Sequence, residues 1–306
     1  MNAIVFPGQG AQYKGMGKEM YDAFPVARAL FERIDKALGI KISELCFSGS
    51  DEDLKSTYYQ QLTILATSLV TYEVFREKMP EISYVSGLSL GEYTCLYPAG
   101  VLDLESLVYL VKERAQAMEE AARAHPATML AVLGLDHAVL EQKALQEHFY
   151  VANVNAPGQV VISLKREDRT RLLNMFLEMG ARTVELEVSG GFHSPFMAQA
   201  KDHLKKVLES IPFNDAKIPM VSNFTARAHT SSREIRFNLA EQLTSPVLWK
   251  NCIEFLVKRG VNAFYEVGPS RVLRGLIRKI NPVLKVTNVE KKEDLDSLAA
   301  NMKQST

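Results

Sequence analysis

The strongest constraint on the fold is the order in which strand-like and helix-like segments follow one another. Short apolar runs alternate with longer amphipathic patterns along most of the chain, beginning with a strand at Ala3 to Phe6. That alternation is typical of α/β proteins with a largely parallel sheet. Residues 129–188 depart from it and read strand, helix, strand, strand, helix, strand, which is the βαββαβ order of a ferredoxin-like unit. The sequence therefore predicts a smaller unit inserted into a larger α/β domain.

The insertion divides the chain into two predicted domains. Charged, glycine and proline residues gather near Ala124 to Ala127 and near Gly190 to Pro195, which places the seams there. We expect residues 1–125 and 194–306 to form a larger domain like that of α/β-hydrolases, and residues 126–193 to form the ferredoxin-like subdomain. With 306 residues, 47% of them apolar, the chain is long enough to bury a substantial core.

Charge and cysteine content exclude several function classes. Lysine plus arginine equals aspartate plus glutamate at 36 each, so the chain lacks the charge excess expected of a nucleic-acid or membrane-surface protein. The three scattered cysteines include no CxxC pair and indicate neither a disulfide framework nor a metal site. No signal peptide or membrane-spanning run is recognisable. We therefore expect a cytoplasmic protein that binds neither nucleic acid nor membrane.

A candidate nucleophile follows one of the predicted strands. Gly87, Ser89 and Gly91 form G-x-S-x-G between a strand that ends near Ser86 and a helix predicted to begin at Ser89. The glycines permit a tight turn in which the serine takes strained backbone angles and projects its hydroxyl from the sheet. A structural turn is the alternative, because such triplets also arise by chance.

His193 is the candidate base among six histidines. The others occur in charged, helical or polar surroundings, whereas His193 stands in GGFHSPF, directly after the last strand of the insertion. The two glycines permit close backbone approach, and Ser194 and Pro195 are suited to start a helix. A histidine held at a helix start by ordinary hydrogen bonds is the alternative.

The PGQG segment, Pro7 to Gly10, follows the first strand. Its glycines let the backbone curl and direct N–H groups outward, as an oxyanion hole requires. A plain turn is equally compatible with these residues.

Arg114 lies on the apolar face of a predicted helix, between Val111 and Met118 at spacings of three and four residues. A buried guanidinium needs an anionic partner, which is either a protein carboxylate or the carboxylate of a substrate. An internal ion pair, or a stem that extends to water, is the alternative.

Taken together, these motifs resemble the malonyl-coenzyme A:acyl carrier protein transacylase family. The chain contains, in the family's order, PGQG, GLSLGEY, the helical arginine, NAPGQVVIS, GGFHSPFM, EQLTSPVLW and FYEVGP, from residue 5 to about residue 280. The resemblance covers nearly the whole chain, and it implies a serine acyltransferase that needs no metal or redox cofactor.

The resemblance also implies roles for individual residues. Ser89 matches the serine that takes the acyl group, and His193 matches the base. The backbone amides of Gln9 and Leu90 match the oxyanion hole. Arg114 matches the arginine that holds the malonyl carboxylate.

The resemblance implies roles for two further residues, and this chain departs from the family's pattern at other positions, among them PGQGAQ in place of the commoner PGQGSQ. The family orients its histidine through a main-chain carbonyl, and the matching residue is Gln242. Phe192 resembles malonyl-selective members, because a bulky ring leaves little room for a branched acyl group. Most relatives have histidine where this chain has Leu88, and many have glycine where it has Ala115. Leu88 removes a polar side chain beside the nucleophile, which bears on acyl selectivity and on the exclusion of water.

The predicted activity is transfer of malonyl from malonyl-CoA to the phosphopantetheine thiol of acyl carrier protein, for fatty acid or polyketide synthesis, by a ping-pong scheme. An acyl hydrolase acting on carrier thioesters and a non-catalytic docking module are the alternatives. The buried Arg114 disfavours the hydrolase, and the presence of both Ser89 and His193 disfavours the docking module. We expect a monomer with an acidic carrier as partner. The basic residues available to meet it are Arg271, Arg274, Arg278, Lys279, Lys285, Lys291 and Lys292.

Overall fold

The computed structural model describes residues 1–303, and their side chains as far as residue 298. Within these residues the chain forms two sheets with flanking helices. The strands are β1 (Asn2–Phe6), β2 (Tyr84–Gly87), β3 (Ala127–Leu133), β4 (Phe149–Ala156), β5 (Gln159–Lys165), β6 (Arg182–Glu185), β7 (Met220–Val221), β8 (Ala228–His229), β9 (Ala263–Val267) and β10 (Lys285–Val289). The α-helices are α1 (Lys18–Ala23), α2 (Pro25–Leu38), α3 (Ile42–Ser48), α4 (Thr57–Phe75), α5 (Leu90–Thr94), α6 (Leu104–Ala124), α7 (His137–Glu147), α8 (Arg169–Glu178), α9 (Ala198–Ser210), α10 (Ser232–Gln242), α11 (Trp249–Lys258), α12 (Val272–Ile280) and α13 (Lys292–Lys303).

The larger sheet has the strand order β10-β9-β1-β2-β7-β8. Neighbours from β10 to β7 are parallel, and the edge strand β8 runs antiparallel to β7. The central strand β1 is covered on both faces. Ile4 and Phe6 belong to the core that includes α2, α4 and α6, whereas Ala3 and Val5 belong to the core that includes α11 and α12. An apolar run without polar alternation is what a parallel strand between two helical layers requires.

The smaller sheet has the order β4-β5-β3-β6, and all its neighbouring strands are antiparallel. Each of its two crossover helices, α7 and α8, connects strands that have one other strand between them, as in the βαββαβ arrangement. Leu130 and Val132 face the small unit's own core, whereas Met129 and Ala131 join the main core. The predicted fold class is confirmed. The division of the chain at residues 126–193 stays a prediction.

Hydrogen bonds join the smaller sheet to two segments that contain or adjoin predicted site residues. The edge strand β4 pairs with the segment after α10, where the Val154 N–H donates to the Val247 carbonyl (2.9 Å) and the Val247 N–H donates to the Ala152 carbonyl (2.8 Å). The Ser163 hydroxyl on β5 donates to the Phe192 carbonyl (2.6 Å). The smaller sheet thereby fixes the backbone next to the predicted base.

Two short elements lie beside the predicted nucleophile. The strand β7 is only two residues long, and the chain after it turns toward the end of β2. The helix α5 begins at Leu90, one residue later than the sequence predicts. No helix among the described residues has the length and apolarity needed to cross a bilayer.

Candidate active site

Ser89 lies in the turn between β2 and α5, with φ 53° and ψ −100°. A positive φ is strained for any residue with a side chain. A Cβ added to Gly87 would lie 2.1 Å from the Gly91 carbonyl carbon, and one added to Gly91 would lie 2.1 Å from the Phe6 carbonyl oxygen. Only glycine fits at these two positions, so the turn can pack directly on the end of β1.

Asn223 holds this strained turn in place. The Ser89 N–H donates to Asn223 Oδ1 (2.7 Å), and Asn223 Nδ2 donates to the Gly87 carbonyl (2.8 Å). The Asn223 N–H donates to the Glu92 carboxyl group (2.9 Å). Sequence reasoning missed Asn223, although polar residues that follow a parallel strand at its carboxyl end are good candidates for a site.

His193 connects the nucleophile to the C-terminal end of α10. Its Nε2 lies 2.8 Å from Ser89 Oγ, and its Nδ1 lies 2.8 Å from the Gln242 carbonyl oxygen. Because a carbonyl only accepts, Nδ1 carries the proton, and the lone pair of Nε2 faces the serine hydroxyl. Burial lowers the pKa of His193 to about 4, and the nearby Arg114 charge adds to this, although the bond to Gln242 opposes it. The imidazole is therefore neutral at pH 7 and can take the serine proton.

The PGQG segment packs against the same turn. A Cβ added to Gly8 would lie 2.4 Å from the Leu88 carbonyl oxygen. The Gln9 side chain is fixed by a hydrogen bond from its Nε2 to Gln60 Oε1 (3.0 Å). Within residues 1–303, neither the Gln9 nor the Leu90 backbone N–H donates to another residue. Both amides are therefore available to a ligand, as an oxyanion hole requires.

Arg114 is fully buried on the inner face of α6, as its spacing predicts. One terminal nitrogen donates to Ser89 Oγ (3.0 Å) and to Gln242 Oε1 (3.3 Å), and the other donates to Gln61 Oε1. The guanidinium carbon lies 4.5 Å from the centre of the Tyr93 ring, at the distance of a cation–π contact. Nε has no partner, and no carboxylate among the described residues is hydrogen-bonded to Arg114.

The Gln242 side chain joins these groups. Its Nε2 donates to Glu92 (2.6 Å) and to the Ser89 carbonyl (3.1 Å). Both partners accept, so the amide nitrogen must face them and the amide oxygen must face Arg114. Burial raises the pKa of Glu92 to about 7, against the lowering effect of its hydrogen bonds. Glu92 was missed from the sequence, although it lies within the GLSLGEY motif that contains the nucleophile.

Other predicted residues lie around this centre. Phe192 is buried in the main core, with its carbonyl fixed by Ser163. A largely apolar cleft of about 320 Å³ between α7, β4 and residues 244–246 includes His193 in its wall. The exposed Arg271 and Lys291 border a second cavity, of about 420 Å³, beside the PGQG segment. The structure thus brings the predicted site residues together and leaves the basic residues at the surface.

A serine at a strand–turn–helix elbow, hydrogen-bonded to a neutral histidine, is the arrangement found in acyl-transfer enzymes that form a serine ester. The fold and the site together therefore define the class as enzymes of acyl transfer. The histidine here is oriented by a main-chain carbonyl, so the constellation is a dyad.

Comparison with known proteins narrows this class. Residues 3–303 match the acyl transferase domain family. The malonyl CoA-acyl carrier protein transacylase of Bacillus subtilis is 40% identical, over 99% of this chain and 97% of the relative. The crystal structure of malonyl CoA-acyl carrier protein transacylase from Clostridium perfringens has a TM-score of 0.94 at 33% identity, covering 99% of this chain and 98% of that one. A malonyl-transacylase in complex with its type II PKS acyl-carrier protein has a TM-score of 0.93 at 35% identity, covering 98% and 99%.

The chain is an acyltransferase and belongs to the malonyl CoA-acyl carrier protein transacylases of the acyl transferase domain family. The predicted family and enzyme class are confirmed.

Proposed function

We propose that the protein transfers a malonyl group from malonyl-CoA to the phosphopantetheine thiol of acyl carrier protein, through an ester on Ser89. The observation that carries the proposal is the fully buried Arg114, whose terminal nitrogen lies 3.0 Å from Ser89 Oγ and whose guanidinium is hydrogen-bonded only to neutral groups among the described residues. A carboxylate on the acyl group would complete that site. The names of the relatives support the same substrate.

Each half-reaction uses the same groups. His193 Nε2 takes the Ser89 hydroxyl proton as Oγ attacks the thioester carbonyl, and the Gln9 and Leu90 amides donate to the resulting oxyanion. When the intermediate collapses, the C–S bond breaks and the CoA sulfur receives the proton from His193. The carrier thiol then gives its proton to His193 and attacks the ester carbonyl. When this second intermediate collapses, the C–O bond to Ser89 breaks and His193 returns the proton to Ser89 Oγ.

In this scheme Phe192 narrows the acyl site, so that a branched acyl group has little room. No metal or redox cofactor is needed. Acyl carrier protein is the partner. The transfer would supply malonyl units for fatty acid or polyketide synthesis. The monomeric state and the cytoplasmic location stay predictions.

An acyl hydrolase on the same scaffold is the second candidate, because it would use the same dyad with water in place of the thiol. Leu88 is the residue that bears on this alternative. It replaces the polar side chain that most relatives have beside the nucleophile, and this change could alter how well water is excluded from the ester. Arg114 disfavours the hydrolase, since a buried cation beside the nucleophile has little use in a general hydrolase.

Intact-mass measurement after mixing with malonyl-CoA tests the proposal. We expect a persistent malonyl adduct that disappears when holo acyl carrier protein is added, with malonyl appearing on the carrier. Rapid release of free malonate would favour the hydrolase, and no adduct at all would favour a docking module.

A further inference from the structure

The contacts of Arg114 share one property, which is that every hydrogen-bond acceptor is neutral. Gln61 and Gln242 each present an amide oxygen, and Ser89 presents its hydroxyl oxygen. Buried arginines in proteins are normally compensated by a carboxylate, because an isolated buried charge is costly. Gln61 and Gln242 occupy the positions where a compensating carboxylate would be expected, and glutamine is the uncharged isostere of glutamate.

The orientation of both amides is determined by their surroundings. Gln242 turns its nitrogen to Glu92 and to the Ser89 carbonyl, which leaves its oxygen for Arg114. Gln61 lies on α4, where it is fully buried, and its nitrogen faces the Met118 sulfur at 3.5 Å. The guanidinium is therefore positioned by several groups, yet none of those that it contacts neutralises its charge.

The closest carboxyl group in the network does not change this conclusion. Glu92 is hydrogen-bonded to the Asn223 N–H and to Gln242 Nε2, and it forms no hydrogen bond with Arg114 in the described part of the chain. The two groups interact electrostatically across the Gln242 amide, but Glu92 makes no direct ion pair with the guanidinium, and burial raises the pKa of its carboxyl to about 7.

We infer that Gln61 and Gln242 determine acyl specificity by holding Arg114 through neutral acceptors, so that its guanidinium has no direct ion pair until the carboxylate of the acyl group binds. The inference rests on the proposed function, and it assigns to the two side chains a role beyond positioning. A carboxylate at either position would form its own ion pair with Arg114 and would oppose the entry of a second carboxylate.

Gln61→Glu is the sharpest test, because it keeps the shape of the side chain and changes only its charge and donors. Gln61→Met is the matched control, since it removes the amide oxygen without supplying a charge. The measured quantity is the second-order rate constant for Ser89 acylation, by intact mass, with malonyl-CoA and with acetyl-CoA. Thermal unfolding of each variant shows that it is folded.

For Gln61→Glu we expect the ratio of the malonyl to the acetyl rate constant to fall by on the order of a hundred-fold, because only malonyl loses an ion pair with Arg114. For Gln61→Met we expect a smaller fall, of about tenfold, with malonyl still preferred. If Gln61→Glu does not fold, Gln242→Glu places the carboxylate on the other terminal nitrogen. Because this change also removes the hydrogen bonds from Gln242 Nε2 to Glu92 and to the Ser89 carbonyl, both rate constants should fall, and the expected result is a lower ratio of malonyl to acetyl acylation.

The inference is overturned if Gln61→Glu keeps the wild-type ratio of malonyl to acetyl acylation, or if Gln61→Met loses malonyl acylation to the same extent. The latter result would mean that the amide only positions Arg114. Wild-type protein that takes no malonyl adduct would instead refute the proposed function, so the two failures are distinguishable.

Discussion

Replacing Arg114 with alanine separates the two tasks of its guanidinium. The first is a hydrogen bond to Ser89 Oγ, which every thioester would lose alike. We assign it about 1.5 kcal/mol, or roughly tenfold in rate, because the hydroxyl keeps its bond to His193. The second is the pairing of a buried carboxylate, which only malonyl would lose. Breaking such a pair costs about 3–5 kcal/mol, or roughly a hundred-fold to several thousand-fold.

Arg114→Ala should therefore lower kcat/KM for acetyl-CoA about tenfold and lower that for malonyl-CoA by the further factor of a hundred or more. The preference for malonyl would narrow or reverse. Single-turnover acylation followed by intact mass measures both rates on one sample. Arg114→Lys is the control, because lysine keeps the positive charge but lacks the planar guanidinium group. Its kcat/KM for malonyl-CoA should lie between that of Arg114→Ala and that of the wild type.

Equal losses with both substrates, together with a clear drop in melting temperature, would refute this reasoning. Arg114 would then stabilise the interior rather than bind the acyl group. The proposed malonyl specificity would lose its structural support and would rest on similarity to the relatives.

Three other outcomes follow from the site. Ser89→Ala should form no acyl adduct, and His193→Ala should acylate several orders of magnitude more slowly, with folding retained in both. An adduct on Ser89→Ala would identify a different nucleophile. Since the base must be neutral and burial lowers the pKa of His193 to about 4, acylation by acetyl-CoA should rise with pH through about 4 and then stay level until the Glu92 carboxyl, with a pKa of about 7, begins to ionise. A midpoint near the ordinary histidine pKa of about 6.5 would contradict the burial of the imidazole. Charge reversal at Arg271 and Arg274 should raise the KM for acyl carrier protein, more at low salt, and leave acylation by malonyl-CoA unchanged; equal loss in both half-reactions would place docking elsewhere.

The parts of the site that the sequence predicts are those with a local signal. The elbow depends on glycines within two residues of Ser89, and the burial of Arg114 depends on the three- and four-residue spacing of one helix. Gln61 has no such signal, because α4 is buried on nearly every side and its sequence shows no contrast between two faces.

The support around the nucleophile is non-local, which is why it was missed. Asn223 is 134 residues from Ser89 along the chain, and the Gln242 side chain meets residues from α5, α6 and the elbow. Contacts between such distant segments follow from the packed fold, so no pattern within one segment reports them.

The dyad has its two members fixed by different sheets. Ser89 is held at the end of the larger sheet by Asn223, whereas the backbone next to His193 is held by Ser163 of the smaller one. The 2.8 Å hydrogen bond between them therefore depends on how the two sheets are placed relative to each other. A substitution that shifts one sheet against the other would lengthen this bond and slow acylation without changing either catalytic residue.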